Sequence, residues 1–238
     1  MEQFSGKVLG IENYFVQGNL EAHVIRVGIE NSFSFTPGQY LMVSEDGFKL
    51  KADPTQLKWS PYSICSSPLE KDLLEFVYTI KYTGGFTQHL AENLKIGGKL
   101  NFKGPYGKFI LEENGREKIF VSTGAGIAPI MSMLRTLERT GVTSTLFYGF
   151  RTGAHFLYRK ELEALAEKKK IRLFTTVSRE DPSWKGNKGY VQSLLEKSVF
   201  SPERQEIYLC GNPEMVRDVR SFFLNKGFLE NQVKIEQW

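Results

Sequence analysis

The sequence predicts two domains: an N-terminal antiparallel β-barrel over residues 1–114 and a C-terminal α/β domain with a parallel sheet over residues 115–238. Three observations predict this. The first half carries short apolar runs of mixed polarity, separated by turn residues, as small antiparallel barrels do. The second half alternates β-branched runs with apolar stripes at helical spacing, the pattern of a parallel sheet covered by helices on both faces. The charge also changes: residues through Gly115 carry 11 basic and 13 acidic side chains, net −2, whereas those from Arg116 onward carry 20 and 14, net +6. The polar run Glu112-Glu113-Asn114-Gly115-Arg116-Glu117-Lys118 marks the boundary.

In the first half, Lys7–Ile11, His23–Gly28 and Tyr40–Ser44 read as short strands. Leu74–Ile80 is β-branched and aromatic, a clear strand. Pro37-Gly38 and Gly97-Gly98 supply turns, and one helix fits Phe86–Leu94. In the second half, strand Ile119–Val121 leads through a glycine-rich turn into a helix over Ala128–Arg139. Ile130, Met133, Leu134 and Leu137 share one face of that helix. Strands over Thr145–Tyr148, Ile171–Val177, Ile207–Leu209 and Val233–Ile235 then alternate with helices over Lys160–Glu167, Tyr190–Leu195 and Glu214–Leu224. On such a sheet ligands bind beyond the carboxyl ends of the strands.

Composition narrows the chemistry. The chain has 238 residues, 41% hydrophobic and 24% charged, with a net charge of +4, which excludes a disordered tail or a collagen-like repeat. No apolar run is long enough for a membrane span, and the first ten residues lack a signal-peptide pattern. A soluble, cytoplasmic protein is expected. Two cysteines, Cys65 and Cys210, are too few for a cysteine-ligated iron–sulfur cluster within this chain. His23, His89 and His155 lack metal-ligand spacing, so no metal site is expected. Two thiols rather than a disulfide fit a cytosolic protein.

Six segments carry candidate chemistry. Thr123-Gly124-Ala125-Gly126-Ile127-Ala128-Pro129 ends a strand and opens a helix, where free N–H groups and the helix dipole favour phosphate. It is neither the full dinucleotide fingerprint nor a P-loop. Val177-Ser178-Arg179-Glu180, with Lys188 and Tyr190 close behind, offers a hydroxyl, a forked guanidinium, an ammonium and a phenol to one phosphate ester. Ser60-Pro61-Tyr62-Ser63-Ile64-Cys65-Ser66-Ser67 can stack on a ring and hydrogen-bond its edge. Gly84-Gly85-Phe86-Thr87 opens a helix and can hold a second phosphate. Cys210-Gly211-Asn212-Pro213 with Met215 sits at another strand end, and Glu236-Gln237-Trp238 ends the chain. Taken singly, each reads equally as a βα turn, a solvated basic loop, a capped helix or a frayed terminus.

Together these segments resemble the ferredoxin–NADP reductase family over nearly the whole chain. Pro37-Gly38-Gln39-Tyr40 is similar to its second-strand signature, and Pro61–Ser66 to its Arg-x-Tyr-Ser-x-x-Ser flavin motif apart from the first residue. Gly84–Thr87 corresponds to the flavin pyrophosphate loop, and Gly104-Pro105-Tyr106-Gly107 to the segment before the second domain. Thr123–Pro129 matches the Thr-Gly-x-Gly-Ile-Ala-Pro nicotinamide-nucleotide loop, and Cys210–Met215 the Cys-Gly-x-x-x-Met motif. The spacing of Ser178, Arg179, Lys188 and Tyr190 resembles the plant-type branch's pattern for the 2′-phosphate of NADP. Leu157-Tyr158 before an acidic–apolar helix, and the chain end with Glu236 and Trp238, also resemble that branch.

The resemblance implies FAD and NADP as cofactors, FAD in the barrel and NADP(H) in the α/β domain. It implies flavin contacts from Ser60, Pro61, Tyr62, Ser63, Gly84, Gly85, Phe86, Thr87, Thr123 and Trp238. It implies NADP contacts from Thr123, Gly124, Gly126, Ile127, Ala128, Pro129, Arg151, Ser178, Arg179, Lys188, Tyr190, Cys210, Gly211 and Met215. Ser63, Cys210 and Glu236 are the implied catalytic groups: Ser63 near the flavin N5 position, Cys210 beside the nicotinamide, Glu236 balancing its charge. The family places arginine where this chain has Ser60, which removes a bidentate phosphate contact and leaves FAD against FMN open; Lys58 is the nearest cation in sequence. The activity implied is hydride transfer between NADPH and flavin, with single electrons passing to an acidic ferredoxin or flavodoxin. A reductase feeding an oxygenase, a free-flavin reductase and a non-catalytic electron-transfer or nucleotide-sensing module remain alternatives. No nucleic-acid motif is present.

Overall fold

The structure, a computed structural model, describes residues 2–30 and 33–237. The chain divides into two compact units, Met1–Leu111 with Met131–Met133, and Glu112–Ile130 with Leu134–Trp238.

In the first unit, β1 (Glu2–Val16) and β2 (Asn19–Ile29) form a long antiparallel hairpin. Its two turn residues, Gln17 and Gly18, both have positive φ, 50° and 82°. A two-residue turn needs that pair of conformations to match the strand twist, and Gly18 adopts its half without strain. Then come β3 (Tyr40–Ser44), β4 (Ser60–Ser63), β5 (Leu73–Thr79), helix α1 (Phe86–Asn93) and β6 (Lys99–Tyr106). The sheet order is β4-β3-β6-β1-β2-β5, every pair antiparallel. Just past β4 the chain meets β5. Cys65 donates its N–H to the Glu75 carbonyl at 2.8 Å, and Glu75 donates its own to Ser66 Oγ at 3.2 Å, so the sheet nearly closes into a barrel. Val27, Leu41, Ile64, Leu74, Phe76, Leu100 and Phe102 fill the interior, and Phe86 and Leu90 of α1 join that core.

The strand bounds differ from the sequence-based expectation in a consistent way. β1 and β2 run several residues beyond Lys7–Ile11 and His23–Gly28, because hairpin pairing extends them through polar residues. β4 and β6 are strands that the sequence pattern hid. Pro61 has no N–H to give, which is tolerated because β4 is the last strand of the order. In β6, Gly104-Pro105 masks the inward alternation of Leu100 and Phe102.

In the second unit six parallel strands lie in the order β10-β9-β8-β7-β11-β12. They are β7 (Glu117–Thr123), β8 (Ser144–Phe150), β9 (Arg172–Val177), β10 (Asn187–Lys188), β11 (Gln205–Gly211) and β12 (Val233–Gln237). The helices are α2 (Ile127–Leu137), α3 (Arg159–Glu167), α4 (Gln192–Leu195) and α5 (Pro213–Asn225). Ile119, Val121, Ile207 and Leu209 pack with Leu194 and Leu195 of α4 and Val216, Val219 and Phe223 of α5. The alternate residues Phe120, Leu146, Tyr148 and Tyr208 are buried as well, so the sheet is covered on both faces. At the strands' amino ends Lys118 is 1% exposed and donates to Glu206 Oε2 at 2.7 Å and Asn114 Oδ1 at 2.6 Å. Tyr208 donates its hydroxyl to the same carboxylate at 2.9 Å. The strand order reverses at β7, between β8 and β11, so ligands belong beyond the carboxyl edge beside Thr123.

Candidate functional site

In the first unit, β4 pairs Ser60 with Val43, Pro61 with Met42 and Ser63 with Tyr40. Strand alternation then sends Tyr62 to one face and Ser63 to the other. Tyr62 is half-buried, its ring centroid 5.6 Å from that of Tyr78 and 6.0 Å from that of Phe86, and burial pushes its phenol well above the usual range. Phe86 is the first residue of α1, so the Ser60–Ser63 strand and the Gly84–Thr87 turn come together. Gly85 is the N-cap of α1 and supplies no side-chain cap, which leaves the first turn's N–H groups suited to an anion. The loop is held by its own polar groups: Gly84 donates to Gln88 Oε1 at 2.9 Å, and Lys81 donates its N–H to Thr87 Oγ1 at 3.1 Å. Ser63 Oγ is buried with no hydrogen-bond partner among the described residues. Lys58 Nζ lies 5.2 Å from the centroid of Phe48, and Phe48 packs 5.1 Å from Phe86.

In the second unit, the carboxyl ends of β7, β11 and β12 lie side by side, with Cys210 opposite Ser122 on one side and Glu236 on the other. Gly124–Gly126 turns directly from Thr123 into α2. A Cβ at Gly126 would collide with the Cys210 carbonyl, and one at Gly211 with Thr123 Oγ1, so both glycines are required for this close packing. Thr123 Oγ1 accepts the Asn212 N–H at 2.9 Å, and Tyr148 donates its hydroxyl to the Gly124 carbonyl at 2.9 Å. α2 has no side-chain cap at its N-cap, Gly126. α5 differs: Asn212 Oδ1 accepts from Glu214 and Met215 N–H at 2.8 and 3.3 Å. Its N-terminus is filled by the protein, as an N-cap asparagine before Pro213 implies. Met215, Ile127, Ala128 and Pro129 are buried, and Met215 belongs to the α5 core. Cys210 is buried and in no disulfide, and burial raises the Glu236 carboxyl above its ordinary value. Ser122 Oγ is buried with no hydrogen-bond partner among the described residues.

The third group lies at the carboxyl ends of β8 and β9. Ser178 donates its N–H to the Phe150 carbonyl and Arg179 to that of Arg151, both at 2.9 Å. β10 brings Lys188 opposite Val177, and Gly189 N–H returns to the Val177 carbonyl at 2.8 Å. Arg151, Ser178, Arg179, Lys188 and Tyr190 are all exposed and sit on one edge. The expected role of Trp238 falls outside the described residues.

Sequence reasoning missed the residues that shape this edge. Asp181 accepts from Gly153 N–H at 2.8 Å and from Ser183 N–H and Oγ at 2.9 and 2.6 Å, bonds that hold its carboxyl below the usual range. Trp184 donates its indole N–H to the Asn187 carbonyl at 2.9 Å. The signal available was Asp-Pro-Ser, a turn former, and the glycine two residues after Trp184. No cluster of metal-ligating side chains occurs among the described residues.

A barrel unit and a parallel-sheet unit, each offering an uncapped helix N-terminus beside glycine-rich turns, define a two-domain nucleotide-binding protein. The comparisons with known proteins carry this further. Residues 12–110 match the oxidoreductase FAD-binding domain and residues 120–221 the oxidoreductase NAD-binding domain. Ferredoxin–NADP reductase B of Sorangium cellulosum is 32% identical over 188 residues, covering 74% of this chain and 77% of that protein. The anthranilate 1,2-dioxygenase electron transfer component of Acinetobacter baylyi is 27% identical over 207 residues, 86% of this chain but only 58% of that protein's length. A crystal structure of a ferredoxin–NADP⁺ reductase from Neisseria gonorrhoeae with bound FAD and NADP superposes with a TM-score of 0.84 at 21% identity, over 100% of this chain and 99% of that one. The chain therefore belongs to the ferredoxin–NADP reductase family of flavin- and nicotinamide-dependent oxidoreductases. No helix among the described residues is long and apolar enough to cross a membrane.

Proposed function

We propose that this protein moves a hydride between NADPH and FAD and passes single electrons to an acidic carrier protein of the ferredoxin or flavodoxin kind. The observation that carries this reading is the uncapped helix N-terminus in each unit, beside Tyr62 and Phe86 in the first and beside the carboxyl ends of β7 and β11 in the second. The bound flavin supplies hydride acceptance and one-electron release.

The chain's own residues then have separable tasks. The first-turn N–H groups of α1 receive the flavin pyrophosphate, with Lys58 supplying the positive charge that Ser60 lacks. The aromatic surface at Tyr62 carries the flavin ring, and the unpartnered Ser63 hydroxyl holds a hydrogen bond to the ring edge. Both groups fit a ligand that is apolar over its plane and polar at its rim. In the second unit the first turn of α2 receives the NADP pyrophosphate, and Arg179, Lys188, Ser178 and Tyr190 take the 2′-phosphate, with Arg151 beside them. Cys210 lines the nicotinamide as a polarizable contact, and Glu236 keeps or releases a proton beside it. The net charge of +6 in the second half favours an acidic carrier.

The test is flavin content and acceptor specificity. The purified protein should be yellow, release FAD on denaturation, and reduce ferricyanide and ferredoxin with NADPH. A colourless protein that neither FAD nor FMN reconstitutes overturns the reading. A second reading, as the reductase component of an oxygenase, is supported by the likeness to the anthranilate dioxygenase component over 86% of this chain. It predicts fast reduction of an oxygenase-type acceptor and slow reduction of free ferredoxin.

A further inference from the structure

Residues 178–187 run from the end of β9 into the first residue of β10; Ser178 and Arg179 open this segment, and Lys188 follows it directly. Most of this loop is exposed; only Asp181 is buried and only Trp184 is half-buried. Trp184 lies where three chain segments meet. Its ring centroid is 5.3 Å from Phe150 at 90° and 6.3 Å from Phe156, and the Arg159 guanidinium lies 5.9 Å away. The chain doubles back over the indole: a Cβ at Gly186 would lie 2.9 Å from ring atoms. A Cβ at Gly153 would lie 3.2 Å from the ring at Cε3 and 3.3 Å from Asp181 Oδ2. Two glycine backbones thus crowd the indole at different ring atoms. Asp181 ties the loop to Gly153, and Trp184 N–H closes a turn onto the Asp181 carbonyl at 3.2 Å. The indole N–H to Asn187 holds the strand residue next to Lys188.

We propose that Trp184 is a positioning residue for coenzyme selection: it locks the 178–187 loop in the form that presents Arg179 and Lys188 together to a 2′-phosphate. The proposal rests on the 2′-phosphate reading above. An exposed ten-residue loop without an anchor samples many forms, and affinity falls by the fraction that remains competent. Nothing in this role touches the nicotinamide or the flavin, so its loss is felt by NADPH and not by NADH.

The experiment compares the flavin-loaded full chain with its Trp184→Ala, Trp184→Phe and Arg179→Ala variants. It reads KM and kcat for NADPH and NADH with ferricyanide, and calorimetric binding of 2′,5′-ADP. Trp184→Ala should raise KM for NADPH and Kd for 2′,5′-ADP about tenfold, while KM for NADH and both kcat values stay within twofold. Trp184→Phe, which keeps a ring but loses the indole bond, should fall between. Trypsin should cut at Lys185 faster in Trp184→Ala, and 2′,5′-ADP should slow that cleavage. If Arg179→Ala loses 2′,5′-ADP affinity and Trp184→Ala keeps it, the role of Trp184 is refuted and the phosphate reading stands. If Arg179→Ala also keeps it, the phosphate reading fails and the proposal falls with it. Equal losses for NADPH and NADH in Trp184→Ala indicate a general structural role and refute the proposal. Should Trp184→Ala fail to fold, Gly186→Ala, which forces a Cβ against the indole, carries the same expectation.

Discussion

Replacing Arg179 with alanine isolates the charge that the coenzyme reading needs. The 2′-phosphate carries nearly two negative charges at neutral pH. Arg179 and Lys188 are exposed, so the interaction belongs to the water-like end of the dielectric range. Two charges against one at about 4 Å give ~2 kcal/mol in water, and ordering the side chain removes part of that. About 1.5 kcal/mol per cation remains, roughly tenfold each and ~10²-fold for the pair. Arg179→Ala should therefore cut the NADPH/NADH ratio of kcat/KM about tenfold, and adding Lys188→Ala should cut it about tenfold again. Because both groups face solvent, the wild-type ratio should fall with ionic strength, as the screening length shortens from ~10 Å at 0.1 M salt. It should also fall below about pH 6, where the phosphate takes up its second proton. Steady-state assays with ferricyanide at two salt concentrations and two pH values read all of this. A ratio that Arg179→Ala leaves unchanged, or one indifferent to salt, refutes the argument.

Three further perturbations test other parts of the structure. Lys118→Met takes the nearest cation from the Glu206 carboxylate, whose side chain is 3% exposed, and leaves it Lys234 Nζ at 4.0 Å and the Tyr208 hydroxyl; it should destabilise the protein by about 3 kcal/mol in urea. The double variant with Glu206→Gln should recover part of this loss, and a double variant no better than the single would show that the two groups do not couple. Lys58→Ala should weaken FAD binding about fivefold, the worth of one exposed cation beside a phosphate, and fluorescence titration of the apoprotein reads it. Glu236 has a folded pKa raised by burial, so its contribution to stability is present below the unfolded pKa and is lost as pH rises through the folded value. Glu236→Gln should raise the melting temperature at pH 7 and leave it unchanged at pH 4; a wild-type response at both would show that the carboxyl is not strained when charged.

What the sequence made legible follows from which interactions are local. Helix α2 and its glycine-opened start were readable because a strand, a tight turn and a helical stripe lie in one continuous segment. The N-cap role of Asn212 was readable for the same reason. β4 and β6 were hidden because Pro61 and Gly104-Pro105 suit a strand only where neighbouring strands tolerate a missing donor or a bend. β10 has two exposed residues, and its position depends on Asn187 donating to the Thr175 carbonyl at 3.0 Å and Thr176 to the Gly189 carbonyl at 2.9 Å. Neither bond has a sequence signature. Trp184 was invisible because a loop tryptophan acquires meaning only when Gly153, thirty-one positions earlier, comes under its ring.

Where the cations go matters more than their number. Part of the basic complement of the second unit is used internally: Lys118 pairs with Glu206, Lys234 with Glu112, Arg135 with Glu161 and Arg172 with Glu117. No ion pair holds Arg151, Arg179 or Lys188 among the described residues, although these three share one edge. Like charges gathered without a counterion repel, so this edge should gain stability from a bound polyanion. At a concentration one hundred times its Kd, 2′,5′-ADP should stabilise the wild type by about 2.7 kcal/mol. At that same concentration a tenfold weaker Arg179→Ala variant should gain only about 1.4 kcal/mol. The melting curve should therefore respond about half as strongly in the variant, with 5′-AMP giving a smaller shift that is the same in both proteins. Equal responses to 2′,5′-ADP would mean that the three cations are merely solvated, and that the phosphate is held elsewhere or not at all.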